Sequence, residues 1–425
     1  MFRKAIFTIM VYIVMIPSLL MGSISCAADD ADLADVPLSN LMEGWPQMSQ
    51  ISEASGIVMD ADNGAVLYSL NRDTIRYPAS ITKILTALLV IENCPLDGIV
   101  TMTDAGIQMV IGGSANAKTV LGEEFTVEQC LYMMLLKSAN DIANQLAEYC
   151  GGSLSHFAEM MNEKAASLGC ENTHFTNPSG MPDSDHYTTA EDMARIMRAC
   201  LENETFLRIS GAEGVTIPPT NKTAESREYT NHNQLIIKGG EYYYEPCISG
   251  KTGYTDSAWR TYIGAAEKDG RKLIVCLMRG PDKSDFVDAA NLFEYGFNEF
   301  DKLEVPGGSV TLPKGFTLDD TTMETQTLSD GSVLISYYYD KLPVGSAVMT
   351  AAEYDEQYRT STLSAAPQES VQEGTVTDAA KVETEKPKTQ KNSGGIFILI
   401  AVLFAIAALL TGLLLIERIR SMRKK

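Results

Sequence analysis

At 425 residues, 45% hydrophobic and 21% charged, the chain has room for two domains plus targeting segments and the composition of a protein that buries a core. A formal net charge of −21 excludes a nucleic-acid binder, which needs a basic footprint, and disfavours simple adhesion to anionic lipid or anionic wall polymer. The charge removes partners without identifying one.

Arg3 and Lys4 precede an uncharged apolar run from Ala5 to about Met21, then Gly22, Ser23 and Ser25, with Ala27-Ala28 before Asp29. A basic start, an apolar core and a small-residue exit predict a secretory signal peptide over residues 1–28. Cys26 does not make it a lipoprotein signal, because Ser23 stands where such a signal carries a leucine-like residue. The other cysteines (Cys94, Cys130, Cys150, Cys170, Cys200, Cys247 and Cys276) are scattered, odd in number and form no Cys-x-x-Cys pair. That pattern indicates neither a disulfide framework nor a zinc ribbon, and most are read as small buried apolar residues.

A body is expected from about residue 48. Gly56–Asp60 reads as a strand, Asp62-Asn63-Gly64 as a turn and Ala65–Tyr68 as the returning strand of a hairpin. Helical periodicity covers Ser80 to about Asn93, Thr126–Glu148 with a break at 138–140, Leu154–Leu168 and Thr189–Leu201. Strand patterns return at Ala258–Ala266 and Lys272–Met278 around an Asp269-Gly270 turn, and a helix near Phe286–Phe300 closes the domain. Strands, then helices, then strands of one sheet predict an α/β (α+β) domain over 48–303, with a mainly antiparallel sheet flanked by helices.

Pro306-Gly307-Gly308 marks a boundary, and the alternating run Val333–Tyr337 suggests a small all-β domain over 304–358. Residues 359–393 shift to Ser, Thr, Gln, Glu, Lys and Pro and read as a disordered polar stalk. Ile396–Ile416 carries no charge; about 21 residues at ~1.5 Å each span about 31 Å, the thickness of a bilayer core. A transmembrane helix is therefore expected over 394–416, and the basic residues of 417–425 place that end in the cytoplasm. Secreted across the membrane and tethered by its tail, the body is expected to be extracytoplasmic.

Three short motifs carry chemistry. Ser80-Ile81-Thr82-Lys83 opens an amphipathic run, so the Lys83 amine lies beside the Ser80 hydroxyl one helical turn away. Serine needs an adjacent base, and lysine serves as one when burial or a second cation lowers its pKa. Ser138-Ala139-Asn140 falls at the break between two helices, where two polar side chains can enter a cleft, although each also suits a plain helix cap. Lys251-Thr252-Gly253 leads into a strand, and a cation, a hydroxyl and a residue without a side chain suit close approach of a carboxylate. Each motif alone is commonplace.

Their order, with gaps of roughly 55 and 110 residues, is the signature set of penicillin-binding proteins and class A β-lactamases. With His174–Pro182, His186–Ala190, Thr230–Asn233 and Lys251–Asp256, the chain resembles the low-molecular-mass penicillin-binding proteins of the serine-type D-alanyl-D-alanine carboxypeptidase family over about residues 50–300. The resemblance implies a β-lactamase/transpeptidase-like catalytic domain that removes the terminal D-alanine of peptidoglycan stem peptides through an acyl-enzyme. It implies Ser80 as nucleophile, Lys83 as general base, Ser138 in proton transfer and Asn140 holding the substrate backbone. Lys251, Thr252 and Gly253 would take the free carboxylate, and the Ser80 and Tyr254 N–H groups the oxyanion. β-Lactam antibiotics would acylate Ser80; no metal or other cofactor is implied.

Two departures stand out. Ala258-Trp259 occupies the place of a small Ala-Gly pair, and Ser179 that of a frequent histidine. Arg260 reads as a surface arginine, with a second carboxylate contact as its lesser reading. A β-lactamase would need a deacylating glutamate; Glu159-Met160-Met161-Asn162 is the best local match and sits in a helical pattern. D,D-endopeptidase action on cross-links and a non-catalytic wall-binding protein are the alternatives. The four histidines show no His-Glu-x-x-His zinc motif and read as packing or hydrogen-bonding residues.

Overall fold

The structure, a computed structural model, describes residues 36–359 except 111–112 and 282–283. The expected signal peptide, membrane span and basic tail, and the stalk beyond residue 359, lie outside the described residues. Among those described, no helix is long and apolar enough to cross a membrane.

The hairpin is formed by β1 (Ser55–Asp60) and β2 (Val66–Leu70), with Gly64 at φ +75° in the turn, a conformation glycine adopts without steric cost. A 3-10 turn, Ala79–Thr82, leads into helix α1 (Lys83–Asn93). Every residue of α1 from Lys83 to Val90 is buried, so it is enclosed all round rather than along one stripe. Strands β3 (Ile99–Thr101) and β4 (Glu124–Thr126) make a small ribbon.

The next helical stretch breaks where the sequence placed the break, into α2 (Val127–Leu136) and α3 (Asn140–Gly151). Thr126 and Gln129 form a reciprocal capping box at the start of α2. Helices α4 (Leu154–Ser167), α5 (Ala190–Leu201) and α6 (Glu204–Ser210) are capped by Ser153, Thr189 and Asn203, each accepting a backbone N–H in the first turn. A ribbon of β5 (Gly214–Ile217) and β6 (Arg227–Thr230) follows, then β7 (Cys247–Thr255), β8 (Trp259–Lys268), β9 (Arg271–Gly280) and helix α7 (Ser284–Glu299).

The main sheet runs β2-β1-β9-β8-β7, antiparallel throughout. Early strands meet late ones through the β1–β9 ladder, from Ser55 opposite Met278 to Asp60 opposite Leu273. Helices α5 and α7 both pack on β9, and β1 is buried at every position, as in a strand covered on both faces. Because β7 is an edge strand, one side of it is left for another partner.

A second antiparallel sheet comprises β10 (Phe300–Val305), β11 (Gly308–Pro313), β12 (Thr322–Thr327), β13 (Val333–Tyr339) and β14 (Leu342–Met349), in the order β10-β11-β14-β13-β12. It begins at Phe300, directly after α7, so Pro306-Gly307 forms the turn inside its first hairpin rather than a boundary before it. The β1–β2 turn docks on this sheet: the Asn63 amide donates to Ser309 Oγ (3.1 Å) and Thr311 Oγ1 (2.9 Å), and Thr311 donates to Asp60 (2.9 Å). Trp45 stands beside the rings of Phe300 and Tyr339 and donates its indole N–H to the Leu67 carbonyl (2.9 Å).

Candidate active site

Ser80 lies in the turn that feeds α1, half-buried, on the wall of a cleft of about 870 Å³. The preceding residue, Ala79, is held at φ +51°, a left-handed conformation unusual for a residue with a side chain. Thr261 Oγ1 donates to the Pro78 carbonyl (2.8 Å) and Thr82 Oγ1 to the Ala79 carbonyl (2.8 Å), fixing the turn from both sides. His186 Nδ1 accepts the Thr176 backbone N–H (3.1 Å), so Nε2 carries the proton and donates to Thr82 Oγ1 (2.9 Å). Burial holds His186 neutral, its pKa pushed down to about 4. A histidine quoted in the sequence without a role is thus a support of the serine turn.

Lys83 is fully buried, with Nζ 3.0 Å from Ser80 Oγ, 2.7 Å from Asn140 Oδ1 and 2.5 Å from the Ser179 carbonyl. Burial, then the positive charge of Lys251, holds its pKa well below that of a free lysine. The loop presenting the Ser179 carbonyl is organised by Asn177, whose Oδ1 accepts the backbone N–H groups of Ser179, Gly180 and Met181. At Gly180, φ +82°, a Cβ would collide with the Ala79 carbonyl, so the absent side chain lets this loop close on the serine turn. Only the backbone of Ser179 meets Lys83, which is why the departure from histidine leaves the contact intact.

Ser138 joins α2 to α3 at φ +63°, and Ser138 and Asn140 both line the cleft. Asp141, buried next to them, accepts from the Ala117 and Thr119 N–H groups and from the Thr119 hydroxyl (2.9 Å), anchoring the adjoining loop whose Ser114 and Ala115 also line the cleft.

On the other side runs β7, with Thr252, Gly253 and Tyr254 on the cleft wall. Lys251 is buried, donates to the Thr252 carbonyl (2.7 Å) and has its pKa pushed down to about 7 by burial. His232, also on the wall, is pushed down to about 4 by burial and then by the nearby lysine charges. All eight predicted site residues therefore converge: seven line the cleft or join its hydrogen bonds, and Lys251 lies buried behind its wall.

Arg260, expected at the surface, is instead half-buried on the cleft wall and held by two nitrogens on the buried Asp285 carboxylate (2.7–3.2 Å). That pairing joins residues 25 apart on a strand and a helix, so no local pattern announces it. Trp259, the first residue of β8 after the turn from β7, adopts φ +58°, which explains why a glycine suits this place; the Arg279 guanidinium lies over its ring at 4.6 Å. Glu159 is on the exposed face of α4, bonded to His156 (3.1 Å), and Asn162 is committed to the Phe175 backbone. Neither lines the cleft.

Residues 42–282 match the family model of the D-alanyl-D-alanine carboxypeptidases (peptidase S11). The chain is 36% identical over 250 residues to the D-alanyl-D-alanine carboxypeptidase DacB2 of Mycobacterium tuberculosis, covering 57% of this chain and 81% of that protein. To DacF of Bacillus subtilis it is 31% identical over 253 residues, covering 58% and 62% respectively. A crystal structure of a Mycobacterium tuberculosis D-alanyl-D-alanine carboxypeptidase superposes with a TM-score of 0.55 at 31% identity, over 60% of this chain and 95% of the other.

Proposed function

From the premise that this chain belongs to the D-alanyl-D-alanine carboxypeptidase family, we propose how its own residues perform the serine D-Ala-D-Ala carboxypeptidase reaction on peptidoglycan. The observation that carries the reading is the buried Lys83 amine 3.0 Å from Ser80 Oγ. A neutral amine has two N–H groups and one lone pair. The carbonyls of Asn140 and Ser179 accept the two N–H groups, which leaves the lone pair for the Ser80 proton. Burial and the Lys251 charge favour that neutral state.

Ser80 attacks the carbonyl of the penultimate D-alanine as Lys83 takes its proton. Negative charge on the carbonyl oxygen is met by the backbone N–H groups of Ser80 and Tyr254, carried by two elements that pack directly on each other. Ser138 relays the proton to the departing D-alanine, and Asn140 holds the substrate backbone. Thr252, on the cleft wall, receives the terminal carboxylate, and Lys251 behind the wall supplies positive charge to it. An edge strand suits an extended peptide, which can lie along its unpaired side. Water then releases the shortened stem peptide and regenerates Ser80.

A β-lactam presents a strained amide and a carboxylate to the same groups, so penicillin binding follows from the same geometry. The leader and tail read from the sequence support an enzyme anchored at the outer face of the cell membrane.

Fluorescent penicillin followed by peptide mass mapping tests the proposal: label is expected on Ser80 and none on Ser80→Ala. Label on another residue, or none on the wild type, overturns it. Comparative rates on a free pentapeptide and a cross-linked dimer then separate carboxypeptidase from endopeptidase action.

A further inference from the structure

Helices α1 and α3 begin at the cleft, with Lys83 and Asn140, and end beside each other on the far side. Cys94 caps α1, its N–H bonded to the Val90 carbonyl (2.9 Å), and Cys150 lies in the last turn of α3. The Cys150 sulfur is 4.0 Å from the Leu89 carbonyl in the final turns of α1. Just past Cys94, a Cβ on Gly98 would be 2.5 Å from the Tyr149 hydroxyl, so the chain leaving α1 lies directly on the end of α3. Each thiol is the leading influence on the titration of the other, so the two lie close together.

Both are half-exposed, whereas Cys130, Cys170, Cys200 and Cys276 are buried. Cys247 shares their intermediate exposure but is occupied by the Asn233 amide (3.6 Å) and the Ser249 carbonyl (3.6 Å). Among the described cysteines, this pair combines adjoining helix ends with access to solvent.

We propose that Cys94 and Cys150 form a disulfide when the protein meets an oxidising disulfide, clipping together the ends of the two helices that carry the lysine base and the second motif. The Cys94 thiol, held below its ordinary pKa by the Cys150 thiol, supplies the attacking thiolate. It attacks one sulfur of a small disulfide such as oxidised glutathione, expelling one thiolate and forming a mixed disulfide. The Cys150 thiol then loses its proton and attacks the Cys94 sulfur, expelling the second small thiol. Two protons and two electrons leave the pair, and the oxidant disulfide becomes two thiols. The chemistry is independent of the carboxypeptidase reading, since neither sulfur lines the cleft.

The test treats the full chain, reduced and then freed of reductant, with oxidised glutathione; it is quenched in acid, denatured, alkylated and digested. A linked pair of peptides containing Cys94 and Cys150 is expected, with the five other described cysteines alkylated and the link lost on reduction. In Cys94→Ser that link is absent and Cys150 is recovered alkylated or as a glutathione adduct. Melting provides a second measurement: oxidation should raise Tm in the wild type and leave it unchanged in Cys94→Ser. Recovery of both residues alkylated in the oxidised wild type, persistence of two separate glutathione adducts, or linkage of either to another cysteine overturns the proposal.

Discussion

Gly253 and Ser80 meet backbone to backbone: a Cβ placed on Gly253 would lie 2.8 Å from the Ser80 nitrogen and 3.1 Å from the Ala79 Cβ. It would also collide with Thr261 Oγ1, which holds the turn through the Pro78 carbonyl. The third motif therefore needs glycine because β7 lies directly on the nucleophile turn.

Gly253→Ala pushes these elements apart. A misplacement on the order of 1 Å costs about 10²-fold in rate, so the penicillin acylation rate is expected to fall by about that factor while far-UV circular dichroism is unchanged. Stopped-flow acylation decides it; a wild-type rate would show that the turn tolerates the shift.

Lys83→Met keeps an unbranched side chain in the buried space and removes the base. Acylation of Ser80 is expected to drop by at least ~10³-fold, in the range seen when an activating base is lost. Binding of a carboxylate-bearing product should persist, because Lys251 and Thr252 remain. Loss of product binding together with acylation would instead point to a collapsed site.

Lys251, with its pKa pushed down to about 7 by burial, sets a pH limit. Below that value it is charged and attracts a carboxylate; above it the free site loses the charge. KM for a peptide ending in a free carboxylate should therefore rise with pH above about 7, whereas a C-terminal amide should show no such rise. Steady-state kinetics on the two substrates from pH 6 to 9 makes the comparison.

Glu53 is buried, with its pKa pushed up to about 9 by burial and then by Asp288 and Asp285. Its folded pKa lies above its unfolded value of 4.5, so the folded protein binds the extra proton in that window. Stability from this group is present below about pH 4.5 and declines as pH rises towards 9, at up to ~1.4 kcal/mol per pH unit. Glu53→Gln should melt progressively higher than the wild type as pH is raised from 6 to 8.5. A Tm difference independent of pH would rule out the buried proton.

Much of the site was legible from spacing. Ser80 and Lys83 share a face because three residues make about one helical turn, and the break at Ser138–Asn140 showed as a gap between two periodic runs. The hairpin at Asp62-Asn63-Gly64 followed from its turn residues, although its docking on Ser309 and Thr311 did not. Hidden too were the Arg260–Asp285 pair, the His186–Thr82 support and the proton on Glu53.

What the sequence alone determined is the set of reactive groups and their local placement, since helix and turn geometry depends on near neighbours. That Lys251 lies close enough to lower the pKa of Lys83, and that β7 presses on Ser80, was decided only when β1 paired with β9 and closed the sheet. Contacts between segments more than 150 residues apart leave no periodic trace in either one; burial and proximity, which set the pKa values, exist only in the folded chain.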